Sequence, residues 1–132
     1  MKKSLMILSV LVLVMSTPAL SAPCAGGAGT QVIGVDGETY CRSNVNMNWW
    51  SAHAWCDAAN MTLVSLDRCN GKNGNISGDV GCPNFKGTGS VTCWTSSVPS
   101  SSFAFNVNLS SGAVGSGNLY RNNFNGYYAL CE

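Results

Sequence analysis

Seven cysteines are the most reactive set of side chains in this sequence: Cys24, Cys41, Cys56, Cys69, Cys82, Cys93 and Cys131. Thiols can ligate a metal, act as nucleophiles or pair as disulfides. A structural zinc site needs short paired spacings such as C-x-x-C. None occurs, and His53 is the single histidine. In a small exported chain such a set reads as a disulfide framework. Six paired cysteines allow fifteen connectivities, so spacing alone does not fix the pairing. Cys69 and Cys82 bracket a Gly- and Asn-rich stretch with little apolar content of its own. Closing a loop of that length stabilises by roughly 3 kcal/mol in the chain-entropy account. Cys24 and Cys41 flank Gly-Gly and Asp-Gly turns and suit a similar closure. One cysteine is left over, and Cys93, in an apolar strand-like run, is the expected buried free thiol.

The other reactive residues do not assemble into a catalytic set. A Ser-His-Asp arrangement must use His53, which reads better as an exposed helix residue. No phosphate-cradling GxxxxGK[ST] motif is present. The expectation is a protein that is not an enzyme and carries no cofactor or metal. Binding chemistry is concentrated near the C-terminus, where Tyr120, Arg121, Asn122, Asn123, Phe124, Asn125 and Tyr127 mix aromatic, guanidinium and amide groups as interaction surfaces do. Trp49, Trp50 and Trp55 could stack on sugars, but at helical spacing most of them belong to a core.

These residues must act outside the cytoplasm if the N-terminus is read correctly. Lys2 and Lys3 precede an uncharged apolar run, Leu5 to Met15, of signal-peptide length. A membrane span needs about twenty residues to cross roughly 30 Å of hydrocarbon. Residues 1–22 read as the signal peptide and 23–132 as one domain. Ala19 and Ser21 fit the small-x-small pattern for cleavage after Ser21, whereas cleavage after Ala22 leaves Pro23 behind the cut. The Met-Lys-Lys start has a bacterial look, so the sequons at Asn60, Asn75 and Asn108 are not expected to carry glycans. Without Lys2 and Lys3, five basic residues face six acidic ones, a formal charge of −1. That leaves no basic field for nucleic acid or membrane surface. Charged residues are 10% of the chain, against about a quarter in ordinary domains. Asn, Ser, Thr and Gly must therefore form much of the exterior.

The elements follow from periodicity. Gln31 to Val35 reads as a strand, Asp36-Gly37 as a hairpin turn, and Glu38 to Cys41 as the return. A helix starts near Asn48, with Asn46 or Asn48 as cap. Trp49, Ala52, Cys56, Ala59 and Leu63 fall on one stripe, while Trp50, His53 and Asp57 point elsewhere. Asn60 suits a left-handed helix end. Met61 to Leu66 reads as extended with alternating apolar residues. Ser90 to Thr95 reads as a strand, and Phe103 to Leu109 as another with Phe103, Phe105, Val107 and Leu109 on one face. Ser111-Gly112 is a turn, Gly115 to Asn118 a loop, and Tyr127 to Cys131 the last strand. One helix with several short strands is an α+β pattern.

The run Trp50-Ser51-Ala52-His53-Ala54-Trp55-Cys56, continuing through Asn60 to Leu63-Val64-Ser65-Leu66, resembles the first helix and following strand of the C-type-lectin-like fold. Trp94-Thr95-Ser96 resembles that family's central strand, and Tyr128-Ala129-Leu130-Cys131-Glu132 its closing strand. The resemblance covers residues 40–132 and implies a bridge from Cys56 to Cys131, leaving Cys69–Cys82 and Cys24–Cys41 as the other pairs. It also implies a binding face near the C-terminus, which some bacterial and phage relatives diversify. The calcium motifs of the sugar-binding members, Glu-Pro-Asn or Gln-Pro-Asp with Trp-Asn-Asp, are absent. Cys82-Pro83-Asn84 lacks the carboxylate, and Asp67, Asp79 and Glu132 are scattered where Ca²⁺ wants six to eight oxygens. Only 38 residues follow Trp94, so the long ligand-binding loop of the animal lectins is expected to be short or missing. The implied protein is a secreted, periplasmic or surface-exposed adhesin-like module binding a protein or glycan without Ca²⁺. The alternative is a structural minor subunit of an appendage or envelope assembly.

Overall fold

The computed structural model describes residues 29–71, 81–119 and 126–132. The Asp36-Gly37 signal is a real hairpin turn: Gly37 takes φ +81° and its N–H donates to the Gly34 carbonyl at 2.9 Å. It joins β1 (Gly29–Ile33) to β2 (Thr39–Met47), which pair antiparallel with Val32 opposite Tyr40. Asn48, rather than Asn46, caps the helix α1 (Trp49–Ala58); its side chain accepts from the Ser51 N–H at 2.8 Å. The helix stops in a Schellman motif. Asn60 sits at φ +59°, Met61 N–H donates to the Cys56 carbonyl, and Asn60 N–H to that of Asp57.

This stop corrects the length of the apolar stripe. Trp49, Ala52 and Cys56 are buried on α1, but Leu63 reaches the core from beyond the helix, in a bridge to Cys131. Nor does the 61–66 segment alternate between inside and outside. Leu63 and Val64 are both buried, because a backbone running between two packed faces covers both sides. Thr62 and Glu132 exchange N–H···O bonds at 3.2 and 2.8 Å, and Val64 N–H donates to Leu130. Leu66 already belongs to a 3₁₀ turn, Leu66–Asn70; a second spans Pro83–Phe85.

The remaining strands are β3 (Thr92–Trp94), β4 (Phe103–Asn108), β5 (Val114–Asn118) and β6 (Tyr127–Cys131). The six-stranded sheet runs β1-β2-β6-β3-β4-β5, with β3 and β6 parallel and every other pair antiparallel. The protein is therefore α+β with a mixed sheet. Successive residues point to opposite faces, and each face has its own core. Trp94, Ala104, Ala129 and Cys131 join Trp49, Ala52, Cys56 and Leu63 under α1. Cys93, Val107, Leu109 and Leu130 join Val32, Tyr40, Val64 and Phe85 on the other side.

Two strand expectations change. Val107 on β4 and Leu109 just after it are buried as expected, but Phe103 is 43% exposed, and the opposite face buries Ala104 and Asn106. The Gly-Ser-Gly-Asn stretch is strand β5 rather than loop. Gly117 is needed there, since a Cβ would lie 2.8 Å from Tyr127 Cε2 and 2.9 Å from Trp94 Cη2. Glycine in a strand marks such a close approach.

Two disulfides close the fold as expected: Cys56–Cys131, with Cα atoms 5.6 Å apart, and Cys69–Cys82, at 4.2 Å. Cys41 is also disulfide-bonded; its expected partner, Cys24, lies outside the described residues. Among the described residues no helix is long and apolar enough to cross a membrane.

Candidate binding surface

Tyr120, Arg121, Asn122, Asn123, Phe124 and Asn125 lie outside the described residues, which resume at Gly126. Leu119 is buried, and its N–H donates to the Ser102 carbonyl at 2.9 Å. Tyr127 opens β6 half-buried, its ring edge-on to Trp94 with centroids 4.7 Å apart. Trp94 is fully buried, and its indole N–H donates to the Met47 carbonyl at 2.8 Å. Gly117 of β5, Trp94 of β3 and Tyr127 of β6 thus meet on the helix side of the sheet.

The tryptophans separate by role. Trp49 is core, its indole N–H bonded to the Thr95 carbonyl at 2.9 Å. Trp55 packs partly against the same cluster. Trp50 is 51% exposed and meets Trp49 edge to face. On the same helix, His53 Nδ1 lies 3.2 Å from Asp57 Oδ2, with both side chains about half in water. An intrahelical pair this exposed contributes little.

Sequence reasoning missed two polar features. Asn84 is fully buried and accepts from the Asp36 N–H at 2.9 Å. Its amide donates to the Arg68 carbonyl and to the Tyr40 hydroxyl, which in turn donates to Asp36 Oδ2 at 3.2 Å. Burial is the main cause that pushes the Tyr40 phenol up to about 12, with the Asn84 hydrogen bond acting the other way. Every member finds a partner, so the cluster works as a clamp between the β1–β2 turn and the Pro83–Phe85 turn. Arg68 Nε also donates to Glu132 Oε2 at 2.7 Å, which raises the guanidinium pKa further. The second feature is Asn106, 5% exposed on the helix-side face, whose Nδ2 has no hydrogen-bond partner among the described residues. A buried amide left so costs about 1–3 kcal/mol. The alternation that places Ala104 inside places Asn106 there as well.

Cys93 is the free thiol expected from the sequence, fully buried in the second core. Burial pushes its pKa up to about 12, against a smaller lowering by Arg42. An unfolded thiol titrates near 8.5, so above that pH the unfolded chain loses a proton that the native chain keeps. The thiol's contribution to stability is thus complete below about pH 8.5 and declines as the pH climbs towards 12, by at most about 1.4 kcal/mol per unit. Denaturant unfolding at about pH 8 and about pH 10 is expected to show a smaller alkaline loss in Cys93→Ala than in the parent protein. Equal losses would remove the thiol as the cause.

Among the described residues, no three His, Cys, Asp or Glu side chains gather as a metal site would require. No protein-family model matches the chain, and a search of curated proteins finds no significant relative.

Proposed function

We propose that the chain is an exported binding module with a C-type-lectin-like fold, recognising a protein or glycan through residues 120–127 without Ca²⁺. The observation that carries this reading is the anchorage on both sides of the segment: Leu119 buried at its start, and Tyr127 packed on Trp94 at its end. The assignment to the C-type-lectin-like family is supported by a cysteine-bearing helix bonded to the last strand, and by a buried tryptophan closing the central strand. Disulfides suit an oxidising compartment outside the cytoplasm, which agrees with the signal-like N-terminus. A binder rather than an enzyme is favoured by the placement of His53, whose carboxylate neighbour shares its exposed helix face.

A structural subunit of an envelope assembly is the second reading, favoured by sheet edges that carry no charged residue in β1 or β5. Glycan-array and pull-down measurements on the exported chain separate the two. Changing Asn122, Asn123 and Phe124 together to alanine is expected to abolish capture of a specific partner while leaving the melting temperature unchanged. Absence of any partner for the parent chain would favour the structural subunit.

A further inference from the structure

Asn106 carries a buried amide nitrogen with no hydrogen-bond partner among the described residues. Folding alone gives no reason to keep such a group, and breaches of this kind gather at functional sites. Asn106 lies in one row across the sheet, between Trp94 of β3 and Gly115 of β5. Gly115 is exposed, and no positive φ requires a glycine there. Unlike Gly117, it makes no room for a ring. The three atoms nearest to a Cβ built on Gly115 all belong to the Asn106 amide: Oδ1 at 3.0 Å, Cγ and Nδ2 at 3.8 Å. Glycine in a strand marks a place where a ligand or another backbone comes close. The open space over Gly115 is therefore faced by an amide that the fold leaves half used.

We propose that the Asn106 amide recognises a neutral sugar, holding one of its hydroxyl groups over Gly115. An oxygen set about 1 Å closer to Nδ2 than the Gly115 Cβ point is at hydrogen-bond length from both amide atoms. The amide torsion of asparagine is broad, so Nδ2 swings out as that oxygen arrives. A group that accepts from Nδ2 and donates to Oδ1 through one atom is a hydroxyl. A trans peptide group points its N–H and C=O in opposite directions and cannot close the same ring. Two residues along the same face, the half-buried ring of Tyr127 lies over Gly117. A ring beside a hydrogen-bonding amide suits a sugar, which is apolar on one face and hydroxylated at its rim. Neither β4 nor β5 carries a charge, which matches a neutral ligand. The proposal rests on the chain being a binding module, and it makes the ligand a glycan rather than a protein.

NMR of the Asn106 side-chain amide tests this in the disulfide-bonded exported chain. Glucose, galactose, mannose and N-acetylglucosamine are each added to about 50 mM, with glycerol and a Gly-Ser peptide as controls. At least one sugar is expected to shift the Asn106 amide resonances saturably, and neither control to do so. Asn106→Val is expected to weaken that sugar by about tenfold or more, with a melting temperature no lower than the parent's. Gly115→Ala fills the space over the amide and gives the same reading should Asn106→Val not fold. Sugar binding that leaves the Asn106 amide unmoved, or that persists undiminished in folded Asn106→Val, would overturn the proposal and leave the binding module standing. So would equal shifts with glycerol, or a protein partner captured by a chain that no sugar shifts. No sugar shift and no partner at all would overturn both.

Discussion

Replacing Cys56 and Cys131 together with alanine is expected to lower the stability of the domain by about 4–5 kcal/mol in the chain-entropy account. The two residues are 75 apart in sequence, against 13 for Cys69 and Cys82, whose removal should cost about 3 kcal/mol. Small domains have only about 5–15 kcal/mol in total, so the first variant should be marginal or unfolded at body temperature. The bond also lies where α1 meets the centre of the sheet, with Cys131 opposite Cys41 on β2 and bridged to Leu63. Denaturant midpoints of the two double variants and the parent check both the size and the ranking. An unchanged midpoint for the Cys56/Cys131 variant would show that the bond does not hold helix to sheet.

Trp94→Ala is expected to cost about 3–5 kcal/mol from lost packing, with a further penalty for the Met47 carbonyl that loses its indole donor. The cavity would open directly beneath Tyr127 and beside Gly117. Partner binding should therefore weaken along with stability. Trp94→Phe keeps a ring under Tyr127 but loses the donor, at about 1–2 kcal/mol, and should preserve most of the binding. Urea unfolding and pull-down on the same preparations separate the two effects. A Trp94→Ala variant within about 1 kcal/mol of the parent would contradict a fully packed ring.

Features written in local chemistry were legible from the sequence. The Asp36-Gly37 turn, an asparagine cap at Asn46 or Asn48 and the left-handed Asn60 each depend on a few adjacent residues. Cys93 was legible because an odd cysteine in an apolar run has nowhere to go but a core. The resemblance to a known fold supplied the Cys56–Cys131 pair, which no local rule could. Strand β5 was illegible because its glycines lower strand propensity, and only the rings of Trp94 and Tyr127 explain Gly117. Leu63 and Val64 broke the alternation rule because the sheet is covered on both faces. The Asp36–Tyr40–Asn84 clamp was missed because its members are up to 48 positions apart. Of the candidate site, the residue types were readable and the Trp94 footing under Tyr127 was not.

The place of β6 has a consequence for the order of events in folding. β1 and β2 form one side of the sheet and β3, β4 and β5 the other; among the described residues it is β6, which follows all five in sequence, that links them within the sheet. Until residues 127–131 are available, the chain holds two separate ribbons, neither of which can bury both its faces. Completion thus waits on contacts between residues distant in sequence, which close slowly. Formation of the Cys56–Cys131 bond then fastens α1 to the strand that joins the two ribbons.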